Sequence, residues 1–366
     1  MSEPAERLRI ALLAPAFFPE VRRGGERLVR ELADDLIARG HQPSLITAHR
    51  GAPSRAVEDG LPILRLPRPP VESRLRRRAF EDYLSHAPLS YLALKHGTFD
   101  VAHATHPPDA VAGARSGLPS VFTFLGLPTR TGIAQRRMRA ELLVRATREC
   151  DATVAISRTA ADGFRRALGV EARVIHPSVD LDAFRPTAER APEPTIVCLA
   201  DAGAENKRLP LLIDAFRQVR RERPDARLLL QRHESLRPGD GIELIDPQDR
   251  AELAQVYSSA WVSALPSWGE AFGLVLVEAL ACGTPVVGSN LGAIPEVVDR
   301  DTIGRLFSGD EPDALARALL EALDLAADPA TREACRARAA DFSTERMGAA
   351  YEDLYGELQS QPRWRK

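Results

Sequence analysis

Lysine is nearly absent from this chain of 366 residues: three lysines stand among 49 basic residues, and arginine fills the other positions. Cysteine is also scarce. The four cysteines are widely spaced and form no C-x-x-C pair, which argues against both a disulfide framework and a structural zinc site. Aromatic residues make up 5% and the formal net charge is −2, so nothing in the composition predicts recognition of nucleic acid.

No long hydrophobic run is present either. The longest apolar stretch, residues 271–288, is interrupted by Glu278 and broken by Gly283 and Pro285, so it is too short to predict a membrane-spanning helix. The first residues of the chain place acidic side chains before a short apolar run, a pattern that is more typical of a buried strand than of a signal peptide. We therefore expect a cytoplasmic protein.

Charge is unevenly distributed along the chain. Residues 1–185 contain 28 Lys and Arg against 21 Asp and Glu, whereas the remaining residues contain 21 against 30. A basic first half favours an anionic partner, such as a membrane surface or a phosphorylated acceptor. Two arginine-rich segments, residues 73–80 and 135–148, leave two interpretations open. They either contact the anionic inner face of a membrane or a lipid-linked phosphate peripherally, or they are ordinary solvated faces.

Short apolar runs alternate with helical patterns, and this alternation occurs twice. A strand at residues 8–14 is followed by a glycine-containing loop and a helix at residues 26–39, which is one unit of a doubly wound parallel sheet. Proline and charge at residues 185–194 predict a linker, after which the alternation restarts. We predict two α/β domains, residues 1–186 and 187–342, with the chemistry in the cleft at the carboxyl ends of their strands.

The same patterns place individual elements. In the first domain they predict strands at residues 44–48, 101–104, 120–124, 152–156 and 173–175. In the second domain they predict strands at residues 195–200, 227–231, 261–265 and 285–288, and helices at residues 209–222, 249–259, 271–282 and 314–327.

The segment at residues 266–296 combines two carboxylates with a helix start. Glu270 ends the loop after a predicted strand, and the next helix is opened by four residues: Phe272, Gly273, Leu274 and Val275. Free N–H groups and the positive end of the helix dipole make this start an anion site, and Gly273 permits the close approach of a phosphate. Glu278 lies one turn further along the same face, where its carboxylate can hold a ribose diol.

This segment, PSWGEAFGLVLVEALACGTPVVGSNLGAIPE, resembles the signature of glycosyltransferase family 4, whose two glutamates separated by seven residues correspond to Glu270 and Glu278. Residues 156–186 and 342–358 resemble the family as well. The resemblance implies the GT-B fold: an α/β protein of two facing Rossmann-like domains, with a C-terminal helix within residues 343–366 that crosses back to the first domain.

The resemblance also implies an activity. It is the retaining transfer of a hexosyl or related sugar from a UDP- or GDP-linked donor to a hydroxyl group. The acceptor is a lipid-linked molecule, a polysaccharide or a small molecule. No cofactor and no metal ion are implied.

The family places an arginine and a lysine after the first strand of the second domain, where they bind the donor diphosphate. Lys207 occupies the lysine position. Because lysine is so rare in this chain, its presence here favours a function as a point charge beside a leaving phosphate. The arginine position holds Ala202 instead. Arg208, next to the lysine, or Arg22 and Arg23 in the first domain are the candidates to supply the missing charge.

The resemblance assigns residues of the first domain too. Gly24 and Gly25, in the loop after the first strand, correspond to a glycine pair that approaches the donor phosphates or the acceptor. The family often has a histidine beside the sugar after a later strand, and here Leu125 fills that place. His103 and His106, at a nearby strand end, are the candidates for contact with the sugar or the acceptor, although a histidine in such a place is more often structural.

In the implied mechanism, Lys207 and the helix start stabilise the departing diphosphate, Glu278 holds the ribose and Glu270 holds the sugar hydroxyls. Two D-x-D runs, residues 180–182 and 299–301, do not follow a strand beside this site, and we expect them to be solvated loop acids. Two alternatives stay open. One is a nucleotide-sugar epimerase or hydrolase of the same plan, and the other is a non-catalytic scaffold, which the two departures from the family pattern favour.

Overall fold

The computed structural model describes residues 7–21, 24–68, 83–134 and 138–360. The chain divides into two compact units. The first contains residues 1–176 together with residues 344–366, and the second contains residues 177–343. Each is an α/β unit with a largely parallel sheet, which confirms the predicted fold class. Within the described ranges, no helix is both long and apolar enough to cross a bilayer.

Eight strands form the sheet of the first unit: β1 (Arg9–Leu13), β2 (Gln42–His49), β3 (Ser54–Glu58), β4 (Leu61–Pro67), β5 (Val101–Ala104), β6 (Ser120–Phe124), β7 (Ala152–Ala155) and β8 (Arg173–Val174). They are arranged in the order β3-β4-β2-β1-β5-β6-β7-β8, and β3 is antiparallel to β4 while the other pairs are parallel. All four residues of β5 are buried, as expected of a central strand that helices cover on both sides.

The described helices of this unit that precede residue 177 are α1 (Gly24–Ala38), α2 (His86–His96), α3 (Pro107–Arg115), α4 (Arg130–Ala134), α5 (Arg139–Glu149) and α6 (Arg158–Leu168). Local sequence explains the bounds of α6. The Ser157 hydroxyl accepts a hydrogen bond from the Ala160 amide at 3.0 Å, and Gly169 ends the helix in the left-handed region at φ 66°. Leu143 of α5 and Phe164 of α6 are fully buried in the core beside the sheet.

Six strands form the sheet of the second unit: β9 (Thr195–Cys198), β10 (Arg227–Gln231), β11 (Ile242–Ile245), β12 (Val262–Leu265), β13 (Val286–Ser289) and β14 (Gly304–Phe307). They lie in the order β11-β10-β9-β12-β13-β14, with parallel pairing throughout. The accompanying helices are α7 (Leu209–Glu222), α8 (Arg250–Ser259), α9 (Leu274–Ala281), α10 (Ile294–Val297), α11 (Pro312–Ala326) and α12 (Pro329–Ala339). Short 3-10 turns lie at Glu205–Lys207 and Ala340–Phe342.

Each sheet has a point at which the strand order reverses. In the first unit the chain moves outward from β1 on one side and from β5 on the other, so the reversal lies between β1 and β5. In the second unit it lies between β9 and β12 for the same reason. Loops that leave such neighbouring strands diverge and open a crevice, where open α/β sheets bind their ligands.

The last helix, α13 (Thr344–Ser360), returns to the first unit. The Glu352 carboxylate lies 3.0 Å from Nε2 of His41. The helix also passes so close to α1 that a Cβ at Gly348 would overlap the Asp35 carboxylate. The predicted return of the C-terminal helix to the first domain is therefore confirmed.

The predicted elements agree with the observed ones where the apolar pattern is strong. Strands β5, β6 and β10 and helix α7 have the predicted bounds. The hairpin of β3 and β4 was not predicted, because prolines and charges interrupt its pattern. Its turn consists of Asp59 and Gly60, at φ 45° and 81°, the backbone conformation that tight hairpins require. Strands β11 and β14 and helix α12 were also missed. The helix predicted from residue 271 begins at Leu274, since Gly273 has φ 102° and ends the preceding loop.

Candidate active site

The crevice of the second unit brings together Lys207 and Glu270. Lys207 ends the 3-10 turn after β9, and Glu270 lies in the loop after β12. The lysine ammonium donates to a carboxylate oxygen of Glu270 and forms an ion pair with it. The two side chains are 21% and 14% exposed. Because water screens this pair only partly, the attraction holds both side chains at the carboxyl ends of the strands.

Two hydrogen bonds tie the loop after β9 to the loop after β12. The Trp268 amide donates to the Asn206 carbonyl at 2.9 Å, and Nε of Arg208 donates to the Pro266 carbonyl at 2.6 Å. Asn206 and Arg208 flank Lys207, whereas Pro266 and Trp268 both precede Glu270 in the loop after β12. The two loops are therefore tied to each other next to the ion pair.

The loop after β13 closes over Glu270. The Ala293 amide donates to the Glu270 carbonyl at 3.0 Å. Gly292 has φ 62°, and a Cβ there would lie 2.6 Å from the Glu270 carbonyl oxygen, so the loop requires glycine at this position. Sequence reasoning missed this contact. The signal was the glycine of the N-L-G-A-I run that follows β13.

Helix α9 begins beside Glu270. Gly273 is its N-terminal cap and contributes no capping side chain. In the part of the chain that the structure describes, no acceptor is found for the amides of Leu274 and Val275, which is what an anion site at a helix start requires. Phe272, expected to open the helix, precedes it instead. Its ring is 3% exposed and lies 5.2 Å from the ring of Phe342, edge to face.

Glu278 lies on the second turn of α9 and is buried, with 4% exposure. The hydroxyl of Tyr257, on α8, donates to its Oε2 at 3.3 Å. Tyr257 is itself fully buried, so this contact fixes the carboxylate where the two helices pack. The contact with a ribose that the sequence predicts for Glu278 stays a prediction.

The side chain of Arg208 makes its contacts with residues other than Lys207 and Glu270. Besides the bond to the loop after β12, its Nη1 donates to Asp310 at 2.5 Å, and its guanidinium lies 5.4 Å from the ring centroid of Phe307. The side chain therefore joins the loop after β12 to the loop after β14. Its Nη2 is buried and has no hydrogen-bond partner among the described residues. These contacts favour a positioning role, and the predicted phosphate contact stays a prediction.

In the first unit, Gly24 and Gly25 form the start of α1. A Cβ at Gly25 would lie 2.9 Å from Cδ1 of Leu125, so glycine allows α1 to approach the loop after β6, where the family often has histidine. The basic features that lie outside the described residues are Arg22, Arg23, residues 73–80 and residues 135–137. In the described part of the second arginine-rich segment, Leu142 is buried and Arg145 pairs with Glu149 at 3.0 Å, which favours a solvated face.

His103, in β5, is 2% exposed. Its ring nitrogens lie 2.7 Å from the Tyr355 hydroxyl of α13 and 2.7 Å from the Thr123 hydroxyl of β6. Burial lowers the pKa of His103 to about 3, so the ring is neutral at pH 7. This geometry favours a structural role, with the ring linking α13 to the sheet, over the expected contact with a sugar. His106, just before α3, is partly exposed and lies edge-on to the ring of Tyr83 at 5.5 Å.

Both D-x-D runs take part in local contacts. The Asp180 carboxylate accepts from the amides of Asp182 and Ala183 at 3.1 and 3.0 Å, and Asp299 pairs with Arg300 at 2.8 Å. Over residues 7–21, 24–68, 83–134 and 138–360, no group of three or more His, Cys, Asp or Glu side chains is placed to hold a metal ion.

Sequence reasoning also missed two exposed apolar side chains beside the ion pair. Trp268, two residues before Glu270, is 50% exposed, and Leu291, next to Gly292, is 45% exposed. Large apolar side chains in such positions offer a ligand surface beside a charged pair. The signal was available, because Trp268 is one of three tryptophans in the chain.

Comparison with known proteins tests the family resemblance. The family model "Glycosyltransferase Family 4" matches residues 22–183, and the model "Glycosyl transferases group 1" matches residues 193–324. The phosphatidyl-myo-inositol mannosyltransferase of Mycobacterium tuberculosis is 31% identical over 86% of this chain and 86% of its own length. The chain belongs to glycosyltransferase family 4. Sugar transfer is thereby confirmed as its function, and no finding favours the epimerase, the hydrolase or the scaffold.

Solved structures show the same fold. Sucrose-phosphate synthase from Thermosynechococcus elongatus superposes with a TM-score of 0.78 at 22% identity, over 96% of this chain and 99% of that chain. Anabaena HepE, in complex with UDP-glucose, gives a TM-score of 0.73 at 16% identity, over 96% and 100%. These likenesses confirm the GT-B fold of this family 4 glycosyltransferase.

Proposed function

We propose that this glycosyltransferase retains the anomeric configuration and transfers a hexosyl or related sugar from a UDP- or GDP-linked donor to a hydroxyl group, without a metal ion. The observation that carries the proposal is the ion pair of Lys207 and Glu270 beside the start of α9. It lies where the strand order of the second sheet reverses, the usual place for a ligand in such sheets.

Lys207 is the residue that we assign to the departing diphosphate. An ammonium has three N–H donors. One of them serves Glu270, so two are available to phosphate oxygens. Negative charge grows on the diphosphate as the bond to the anomeric carbon breaks, and a cation already in position stabilises that charge most in the transition state. The amides of Leu274 and Val275 add the positive end of the α9 dipole.

Glu270 is the residue that we assign to the sugar hydroxyls. One carboxylate oxygen accepts from the lysine, and the other retains acceptor capacity. The Ala293 amide and the close approach of Gly292 fix its backbone, so the carboxylate is positioned before a ligand binds. We assign Glu278 to the ribose diol, with its carboxylate oriented by the Tyr257 hydroxyl.

The proposal assigns charge stabilisation to Lys207 and the start of α9 rather than to a metal ion. Arg208 is not included, because the loops after β12 and β14 hold its guanidinium. Loss of one cation from a diphosphate site costs about 2–4 kcal/mol of transition-state stabilisation. The substitution at Ala202 therefore predicts slower transfer than in relatives that keep the arginine, unless another arginine replaces it.

For the acceptor we propose a hydroxyl group on a lipid-linked molecule. The mycobacterial relative is named for phosphatidyl-myo-inositol, and residues 1–185 of this chain carry 28 basic against 21 acidic side chains. A cytoplasmic protein that associates peripherally with the inner face of a membrane would meet such an acceptor. His106 is the residue of the first unit that we assign to the acceptor side, and Gly24 and Gly25 are assigned to the donor phosphates or the acceptor.

Lys207→Ala tests the phosphate assignment, and Lys95→Ala is its matched control because Lys95 is exposed on α2 of the first unit. Thermal shift and calorimetry with UDP, GDP and ADP should identify one nucleoside diphosphate that binds the wild type and the control alike. We expect Lys207→Ala to bind it about 10- to 100-fold more weakly, because a charge-assisted hydrogen bond is lost. Equal affinity in the two variants would show that Lys207 does not contact the phosphates.

The stereochemistry and the metal requirement have separate tests. With the matching donor sugar and a lipid-linked acceptor, proton NMR of the product should show the anomeric configuration of the donor. The rate should be the same in EDTA and in magnesium. An inverted product would refute retention, and loss of activity in EDTA would refute metal independence.

A further inference from the structure

An apolar groove lies on the first unit. It is a cavity of about 610 Å³, a volume within the range of small-molecule sites. One face of β2, β4 and β3 forms its floor, and the end of α2 forms its wall. The apolar residues that line it include Ile46, Val57, Pro62, Leu64, Ala93 and Phe99. We call this cavity the β3–α2 groove.

The strand register explains why the groove is open. Arg55 lies opposite Leu64, and Val57 lies opposite Pro62. Directly opposed residues of an antiparallel pair share a face, so these four side chains form one side of the hairpin. Among the described residues, helix α2 packs on β2 and β4, and four of the five residues of the outermost strand, β3, are exposed. Val57 is consequently 70% exposed, a large apolar exposure for a residue on the floor of a cavity.

Two basic side chains border the β3–α2 groove, Arg55 and His96. Within the described ranges, neither has a hydrogen-bond or ion-pair partner. Arg65, on the neighbouring strand β4, is paired with Glu58 at 2.8 Å. An unpaired guanidinium beside an aliphatic surface suits a ligand that has both an aliphatic part and an anionic group.

The groove is separate from the crevice loops of its own sheet. It is lined by residues 44–46, in the first half of β2, and by the end of α2, which leads into the start of β5. These positions belong to the amino ends of the strands, whereas the crevice loops follow the carboxyl ends. A ligand in the groove is therefore neither the sugar donor nor the hydroxyl group that receives the sugar.

We propose that the β3–α2 groove binds one aliphatic chain of a long-chain fatty acid, with its carboxylate on Arg55. The chain would cover Val57 and Leu64, which water now contacts, and burial of apolar surface drives such binding. A second copy of this chain suits the groove less well. Strand β3 carries Arg55 and Glu58 at the sheet edge, and charges there oppose pairing with another strand.

Binding is tested on the full chain with cis-parinaric acid, a fluorescent fatty acid, below its micelle concentration. We expect saturable binding of one molecule per chain. Val57→Asp should weaken it by about tenfold or more, because the variant places a charge on the apolar floor and repels the carboxylate. Arg55→Gln should weaken it by about three- to tenfold through loss of the ion pair. Leu92→Asp is the control, since Leu92 is 51% exposed on α2 and does not line the groove.

Thermal unfolding first establishes that the variants are folded. Absence of saturable binding, or equal affinity in Val57→Asp and Leu92→Asp, overturns the proposal.

Sedimentation velocity without fatty acid detects the competing occupant: self-association that Val57→Asp abolishes would assign the groove to a second copy. Flotation with anionic vesicles detects another: vesicle binding without binding of the monomeric fatty acid would assign it to a bilayer surface. Nucleoside diphosphate affinity should be unchanged in all three variants, because the groove belongs to the first unit and Lys207 to the second.

Discussion

Replacing Gly292 by alanine perturbs the loop that closes over Glu270. At φ 62°, an L-residue costs about 1 kcal/mol. The new Cβ would also lie 2.6 Å from the Glu270 carbonyl oxygen, and an ordinary contact of 3.4 Å requires that backbone to move by about 0.8 Å. Overpacking of this kind adds about 1–3 kcal/mol. We therefore expect the free energy of unfolding to fall by about 2–4 kcal/mol.

The same displacement should lower activity, because misplacement of a substrate-positioning group by about 1 Å costs about a hundredfold in rate. Gly309→Ala is the control. Gly309 has φ 89° and open space around it. Alanine at this position therefore has the free-energy cost of a left-handed backbone conformation, but its Cβ does not collide with another atom. Urea unfolding measures stability, and a coupled assay of nucleoside diphosphate release measures kcat/KM. Equal losses of activity in the two variants would show that closure of this loop does not position Glu270.

Burial of His103 predicts acid sensitivity. Its ordinary pKa of 6.5 falls to about 3 in the fold, so the unfolded chain takes up the proton first and stability declines as pH drops from 6.5 towards 3, by up to about 1.4 kcal/mol per pH unit. Chemical unfolding between pH 6.5 and 5 should show that His103→Gln removes this slope, and an unchanged slope would contradict the assignment. Gly348→Ala should lower the free energy of unfolding by about 1–3 kcal/mol through collision with α1, whereas Gly356→Ala, in open space on the same helix, should raise it by about 0.5–1 kcal/mol. Equal effects would argue against the packing of α13. Arg208→Gln should cost about 1–3 kcal/mol of stability and should weaken nucleoside diphosphate binding less than Lys207→Ala does; calorimetry showing the reverse would return Arg208 to the phosphate site.

The strands whose bounds hydrophobic periodicity predicted are those with a regular pattern of buried residues. Strands β5 and β6 lie inside the sheet and nearly all of their residues are buried, and these short, mostly apolar segments distinguish them from the helices around them. The hairpin of β3 and β4 has no such uniform environment. One of its faces is open at the β3–α2 groove, and every residue of β3 is exposed except Ala56, which is partly buried. The hairpin sequence therefore shows neither the alternation of apolar and polar residues that predicts a half-buried strand nor the continuous apolar run that predicts a buried one.

The residues of the candidate site can be named from the sequence one by one, whereas most of the contacts between them cannot. Glu270, Glu278 and Gly273 follow from a helix start and from the family motif, and Lys207 from its rarity and position. The ion pair of Lys207 with Glu270 depends on β9 lying beside β12, and hydrophobic periodicity does not determine strand order. His103 shows the same limit of sequence-based prediction. Its ring is bound by the Tyr355 hydroxyl of α13, which lies far from it in the sequence.

In the proposed mechanism, the partnership of Lys207 with Glu270 determines when the ammonium acts. Glu270 neutralises the lysine in the structure, so a donor diphosphate must share the ammonium with a carboxylate, which limits how tightly the substrate is held. As the anomeric bond breaks, charge accumulates on the leaving phosphate and its share of the ammonium grows. An interaction that strengthens towards the transition state lowers the barrier, whereas equal binding of substrate and transition state would not raise kcat. Because Ala202 replaces the arginine of the family, stabilisation of the leaving phosphate depends more on Lys207. The backbone contacts of Gly292 and Ala293 limit how far Glu270 can move with the lysine as the ammonium turns towards the phosphate.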